Sequence, residues 1–135
     1  MRLGLSVSLL AALLALANGS AYGGDIYVIS NADVKLSVDD IREIYFGEME
    51  FSGSLRLVPV DNQSVQAEFT SKVLAISLDR YTTLWIKKSF RDALNPPARK
   101  ETDAEVLNYV KHTRGAIGYV TSLPRDDGVM VVRKF

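Results

Sequence analysis

Cysteine is absent from all 135 residues, which removes disulfides, thiolate metal ligands, cysteine nucleophiles and a lipid anchor on an N-terminal cysteine. Histidine occurs once, at His112, so zinc chemistry has no ligand set to build on. The 16 basic and 16 acidic residues cancel, and no run of lysines and arginines stands out. A nucleic-acid or anionic-membrane partner held by bulk electrostatics is therefore not expected. Lys87-Lys88 and Arg99-Lys100 are short basic pairs that read as solvated faces, able at most to meet an acidic partner surface. No nucleophile-base pair, metal set or phosphate-cradling glycine loop can be assembled, so neither an enzyme nor a cofactor is expected. Internal repeats, low-complexity runs and long linkers are missing too.

What is present begins with an export signal. Met1-Arg2 supplies a positive start, Leu3 to Leu16 is apolar apart from Gly4, Ser6 and Ser8, and small residues follow. That is the layout of a secretory signal peptide, and the apolar run is shorter than the roughly 20 residues a bilayer span needs. Ala15-Leu16-Ala17 and Gly19-Ser20-Ala21 both satisfy the small-x-small rule for cleavage. Residues 1–21 are expected to be removed, leaving one domain over 22–135 in the periplasm, with one more acidic than basic residue once Arg2 is gone.

The rest alternates between strand and helix signals. Ile26 to Ile29 is a short β-branched strand pattern. Ser37 offers an N-cap with Asp39 and Asp40 in the first turn, where acidic side chains complement the helix dipole, and Gly47 suits the left-handed residue that ends a helix. Adjacent helical residues point about 100° apart, so Asp39-Asp40 is helix-start charge rather than a catalytic pair. Leu55 to Val60 reads as a second strand. Ser64 caps a helix bearing Phe69, Val73 and Leu74, and Ser77 caps one bearing Tyr81, Leu84, Trp85 and Phe90, whose aromatic set reads as core. Asn95-Pro96-Pro97 breaks the chain. Thr102 to Glu105 is a capping box for a helix with Val106, Leu107 and Val110 inward. Gly115 turns into a strand over 116–120, and Val129 to Val132 follows the turn Asp126-Asp127-Gly128. The expected fold is α/β, a mixed sheet of about four strands with flanking helices.

Several of these pieces recur in a fixed order: Phe46-Gly47, Pro59-Val60, Ser64 with Phe69, Tyr81 with Trp85, Phe90 with Pro96-Pro97, and Gly115 to Val120 as Gly-Ala-Ile-Gly-Tyr-Val. The ordered set resembles the periplasmic phosphate-binding proteins of ABC transporters, and spans most of the domain. The resemblance implies one lobe of a type 2 periplasmic binding protein. It also implies a solute-binding component that presents phosphate or another small oxyanion to a transporter or sensor in the membrane. In the larger proteins an arginine precedes a helix opening Ser-Gly-Thr, whereas here the run is Asp61-Asn62-Gln63-Ser64-Val65-Gln66. Only Ser64 corresponds.

Two readings of that run stay open. The turn Asn62 to Val65 presents helix-start amides that hold a small oxyanion weakly without a lysine, or Ser64 merely caps its own helix. Asp61 is either a solvated strand-end aspartate or an acceptor for a protonated or hydroxyl-bearing ligand. The ligand-site candidates are thus Ser64, Val65, Asn62 and Asp61. The alternative function is a ligand-free accessory module, derived from a binding-protein lobe, that contacts a membrane-protein partner.

Overall fold

The computed structural model describes residues 23–125 and 128–135, so the expected signal peptide, residues 1–21, and Asp126-Asp127 lie outside the described residues. Among the described residues, a five-stranded sheet forms in the order β5-β4-β6-β1-β7. Its strands are β1 (Tyr27–Ser30), β4 (Val58–Asn62), β5 (Ala98–Lys100), β6 (Ala116–Val120) and β7 (Met130–Lys134). β4 runs parallel to β5 and β6, while β1 is antiparallel to β6 and β7. The expected class is correct, with one strand more than expected.

The extra strand is β5. Its three residues, Ala98, Arg99 and Lys100, are only partly shielded, so no hydrophobic pattern betrays it. Parallel pairing to β4 holds it, in the register Val60↔Ala98, Asp61↔Arg99, Asn62↔Lys100. The expected strand from Leu55 to Val60 is two elements: Leu55–Arg56 (β3) pairs with Phe51–Ser52 (β2) in a hairpin turned at Gly53, and β4 starts only at Val58.

Side-chain alternation along the strands sorts the core onto two faces. Val28, Ile117 and Tyr119 face one cluster, which also takes Ile41, Ile44 and Tyr45 from α1 (Val38–Tyr45) and Tyr81 and Trp85 from α3 (Leu78–Asp92). Ile29, Val60, Ala116 and Val120 face the other, covered by Val106 and Val110 of α4 (Asp103–His112). β6 is therefore buried along its whole length, as a central strand covered on both faces must be.

The helix starts are built as their sequences require. Ser37 and Asp40 form a reciprocal capping box, Ser77 caps α3, and Thr102 caps α4 by accepting from the Glu105 amide. Glu105 reaches back to the amide of Glu101, one residue beyond the expected partner. The segment after Ser64 is less regular: a 3₁₀ turn at Gln63–Val65, the helix α2 (Gln66–Phe69), then a π turn at Thr70–Leu74 that ends on left-handed Ala75. Phe69, Val73 and Leu74 are nevertheless all buried. Gly115 adopts φ +78°, and a Cβ there would lie 1.9 Å from the Arg56 carbonyl oxygen. Gly118 allows a close approach of side chains: a Cβ there would meet Val106, Val110 and Val60 at 2.8–2.9 Å. Its role is to seat α4 on the sheet.

Candidate functional site

The parallel strands β4, β5 and β6 end on one edge of the sheet, the edge where open α/β sheets bind ligands. β4 delivers Asp61 and Asn62 there, and both are buried, Asp61 being 2% exposed. The expectation of a solvated strand-end aspartate is thus overturned. Tyr119 Oη donates to Asp61 Oδ1 at 2.8 Å from β6, and Tyr81 Oη donates to Oδ2 at 2.8 Å from α3. Neither tyrosine is near Asp61 in sequence, so no local pattern signalled the pair.

Burial pushes the Asp61 carboxyl up to about 6, outweighing the hydrogen bonds of Tyr81, Tyr119 and Gln66 and the charge of Arg99, all of which pull it down. Burial likewise raises the Tyr81 and Tyr119 phenols far above their ordinary value, so they remain hydrogen-bond donors at any pH the fold survives. Behind them Tyr45 donates to the carbonyls of Val60 (2.9 Å) and Ile117 (3.2 Å), pinning β4 to β6. Phe69 stacks on Tyr119 with centroids 3.7 Å apart. A rigid aromatic wall thereby fixes the carboxyl.

Asn62 organises the next turn. Its Oδ1 accepts from the Ser64 amide at 3.1 Å and from Ser64 Oγ, while its Nδ2 donates to Asp103 Oδ1 (2.7 Å) and the Tyr119 carbonyl (3.0 Å). Asp103 Oδ2 in turn accepts from the amide and hydroxyl of Thr121. The cap is therefore Asn62, not Ser64, and the Ser64 amide is already occupied. Ser64 itself is exposed, and Val65 is a buried anchor with its side chain in the core. Of the four candidates, the structure brings Asp61, Asn62 and Ser64 to one edge and gives Val65 a packing role.

Asp61 lines an open cavity of about 400 Å³ with Gln66, Tyr81, Thr82, Trp85, Ile86, Ser89, Phe90, Pro96, Pro97 and Arg99. Arg99 is the cation that the Asp61 run lacks in sequence. It arrives from the unforeseen strand β5, opposite Asp61 in register. Trp85 is held by its indole N–H, which donates to the Tyr45 carbonyl at 3.0 Å. Phe90, expected in the core with Tyr81 and Trp85, is instead 89% exposed. At about 100° per residue it lies roughly opposite Tyr81 on the helix.

The fold is shared with about half of two solved phosphate-transport binding proteins. Structural comparison finds a protein described as a phosphate ABC transporter substrate-binding protein from Clostridium perfringens, solved with bound phosphate, at TM-score 0.61 and 15% identity, covering 80% of this chain and 44% of that one. An ABC-type phosphate transport receptor from Vibrio cholerae matches at TM-score 0.59 and 12% identity, over 86% of this chain and 52% of that one. The chain thus spans about half the length of either structure. No family model and no curated protein matches the sequence.

The other candidates have local partners. His112 Nδ1 lies 2.8 Å from the Asn108 carbonyl at the end of α4. Lys88 reaches the Phe46 carbonyl and pairs with Glu48 at 3.9 Å, so it is no free solvated cation. Among the described residues no three His, Asp or Glu side chains converge to hold a metal, and no helix is long and apolar enough to cross a membrane.

Proposed function

We propose that the chain is a non-enzymatic solute-binding lobe that acts in the periplasm. It takes a small protonated oxyanion of the phosphate type at the Asp61 edge and presents it to a transporter or sensor in the membrane. The observation that carries this reading is the opposition of Asp61 and Arg99 across β4 and β5, with both lining one cavity. Arg99 supplies the positive charge, and Asp61 accepts from a P–O–H group, which a fully ionised anion could not offer. Asn62, Ser64 and Val65 hold the turn that sets Asp61 and Gln66 in place. The phosphate-type fold and the Met1 to Ala21 export pattern support the same reading.

The cavity beside Asp61 is open to solvent, so affinity belongs in the high-micromolar to millimolar range, roughly 4 to 6 kcal/mol. Titrating phosphate and sulfate while following the backbone amides of Asn62 to Ala67 by NMR tests it. Phosphate is expected to move them more than sulfate, which carries no proton at neutral pH, and Arg99→Gln to weaken binding about tenfold. If the amides stay still at tens of millimolar phosphate, a concentration well above the expected Kd, the second reading takes over: an accessory module that contacts a membrane-protein partner. The occupied Ser64 amide and the outward-facing Phe90 favour that alternative.

A further inference from the structure

The cavity beside Asp61 is too large and too apolar for an inorganic anion alone. A water takes about 30 Å³, so an oxyanion of a few water volumes leaves most of the 400 Å³ empty. The walls beyond Asp61 and Arg99 are chiefly apolar: Trp85, Phe90 and the Pro96-Pro97 pair. Proline has no amide hydrogen, so that wall offers no backbone donor to an anion. Ile86 and Phe90 are 55% and 89% exposed, so they stand at the rim with apolar surface that the core does not use. Convergent polar groups at one end of an apolar cleft of this size are the usual form of a small-molecule site.

Resting on the oxyanion reading above, we propose that the occupant is an organic oxyanion with an apolar body, a phosphonate or phosphate monoester. Its monoprotonated head lies between Asp61 and Arg99, the P–O–H donating to the Asp61 carboxylate and a charged oxygen facing the guanidinium. Its substituent lies along Trp85, Phe90 and the proline wall. The head alone binds weakly because Asp61 repels a bare anion, and the body supplies the remaining affinity by covering apolar surface.

Trp85 is the sole tryptophan and lines the cavity, so its fluorescence and its indole N–H resonance report occupancy. The probes are phenylphosphonate, benzenesulfonate, which has the same body but no acidic proton at neutral pH, and inorganic phosphate. Phenylphosphonate is expected to bind about tenfold or more tighter than either of the others. Phe90→Ala, at an exposed position the fold does not need, should erase most of its advantage over phosphate. Equal affinity for phenylphosphonate and inorganic phosphate, or indifference to Phe90→Ala, overturns the apolar-body inference while the oxyanion reading stands. Benzenesulfonate binding as tightly as phenylphosphonate overturns the protonated head. Silence of Trp85 and of the Asn62 to Ala67 amides with every probe overturns both the ligand class and the oxyanion reading.

Discussion

Replacing Asp61 by asparagine isolates the carboxyl that the fold has buried at the end of β4. The carboxyl titrates near 6 in the native state against 3.8 for an unperturbed aspartate, mainly because burial disfavours the charge. A native pKa raised above the unfolded one means that the folded protein binds more protons between those values, so stability falls as pH rises through that window. The size of the effect is about 3 kcal/mol, fully developed above about pH 7 and absent below about pH 4. Asparagine does not titrate. Its carboxamide still accepts one tyrosine hydroxyl but turns N–H groups towards the other, a mismatch of roughly 1 to 3 kcal/mol that does not vary with pH.

Urea unfolding of both proteins from about pH 4 to about pH 7.5 reads the difference, and subtraction cancels the other carboxylates. The wild type is expected to lose about 3 kcal/mol relative to Asp61→Asn over that range. Against burial stand Tyr81, Tyr119, Gln66 and Arg99, all of which favour the ionised form. A difference that stays flat, or one in which the wild type gains as pH rises, would show that these four groups outweigh desolvation. That would refute the burial argument. It would also leave Asp61 ionised well below pH 6, so the proposed acceptor would persist in acid, whereas burial predicts that it is lost as Asp61 takes up a proton near pH 6.

Gly118→Ala drives a methyl into three valines, each fully buried, and should cost about 1 to 3 kcal/mol in a chemical melt; a loss of only a few tenths would mean that α4 sits farther from the sheet. Export is checked by mass spectrometry of a periplasmic extract, which should show an N-terminus at Asn18 or Tyr22, and an intact Met1 on a membrane-bound product would count against it.

Much of the scaffold was legible because its signals are local. Ser37, Ser77 and Thr102 each accept a backbone hydrogen bond three residues on; Gly47 takes the positive φ that ends a helix without a Cβ penalty, and Gly115 takes one in the turn into β6. Ala116 to Val120 is a continuous buried strand because its neighbours on both faces are helical. Phe90 was misplaced through a period error: positions 81 and 85 share a helix face, but 90 has rotated past it.

The site was illegible for a different reason, since every group that defines it comes from a long-range contact. An aspartate after Pro59-Val60 looks solvated until two tyrosines, 20 and 58 residues away, donate to its two oxygens. Both Asn62 and Ser64 are competent caps, and only the tie from Asn62 to Asp103, 41 residues on, decides between them. Arg99 lies in a strand of three residues that backbone pairing alone creates, so its position opposite Asp61 follows from register and not from side-chain pattern. The Ser64 segment is a turn capped by Asn62, and the charge proposed to meet the oxyanion is displaced one strand sideways, to Arg99 on β5. If that displacement is functional, Arg99→Lys should bind phosphate less selectively than wild type, because an ammonium lacks the planar fork that fixes two oxyanion oxygens at once. Comparing phosphate with chloride on the Arg99 and Arg99→Lys proteins measures it: selectivity should fall several-fold on substitution, and unchanged selectivity would return Arg99 to the solvated face that its sequence neighbourhood first indicated.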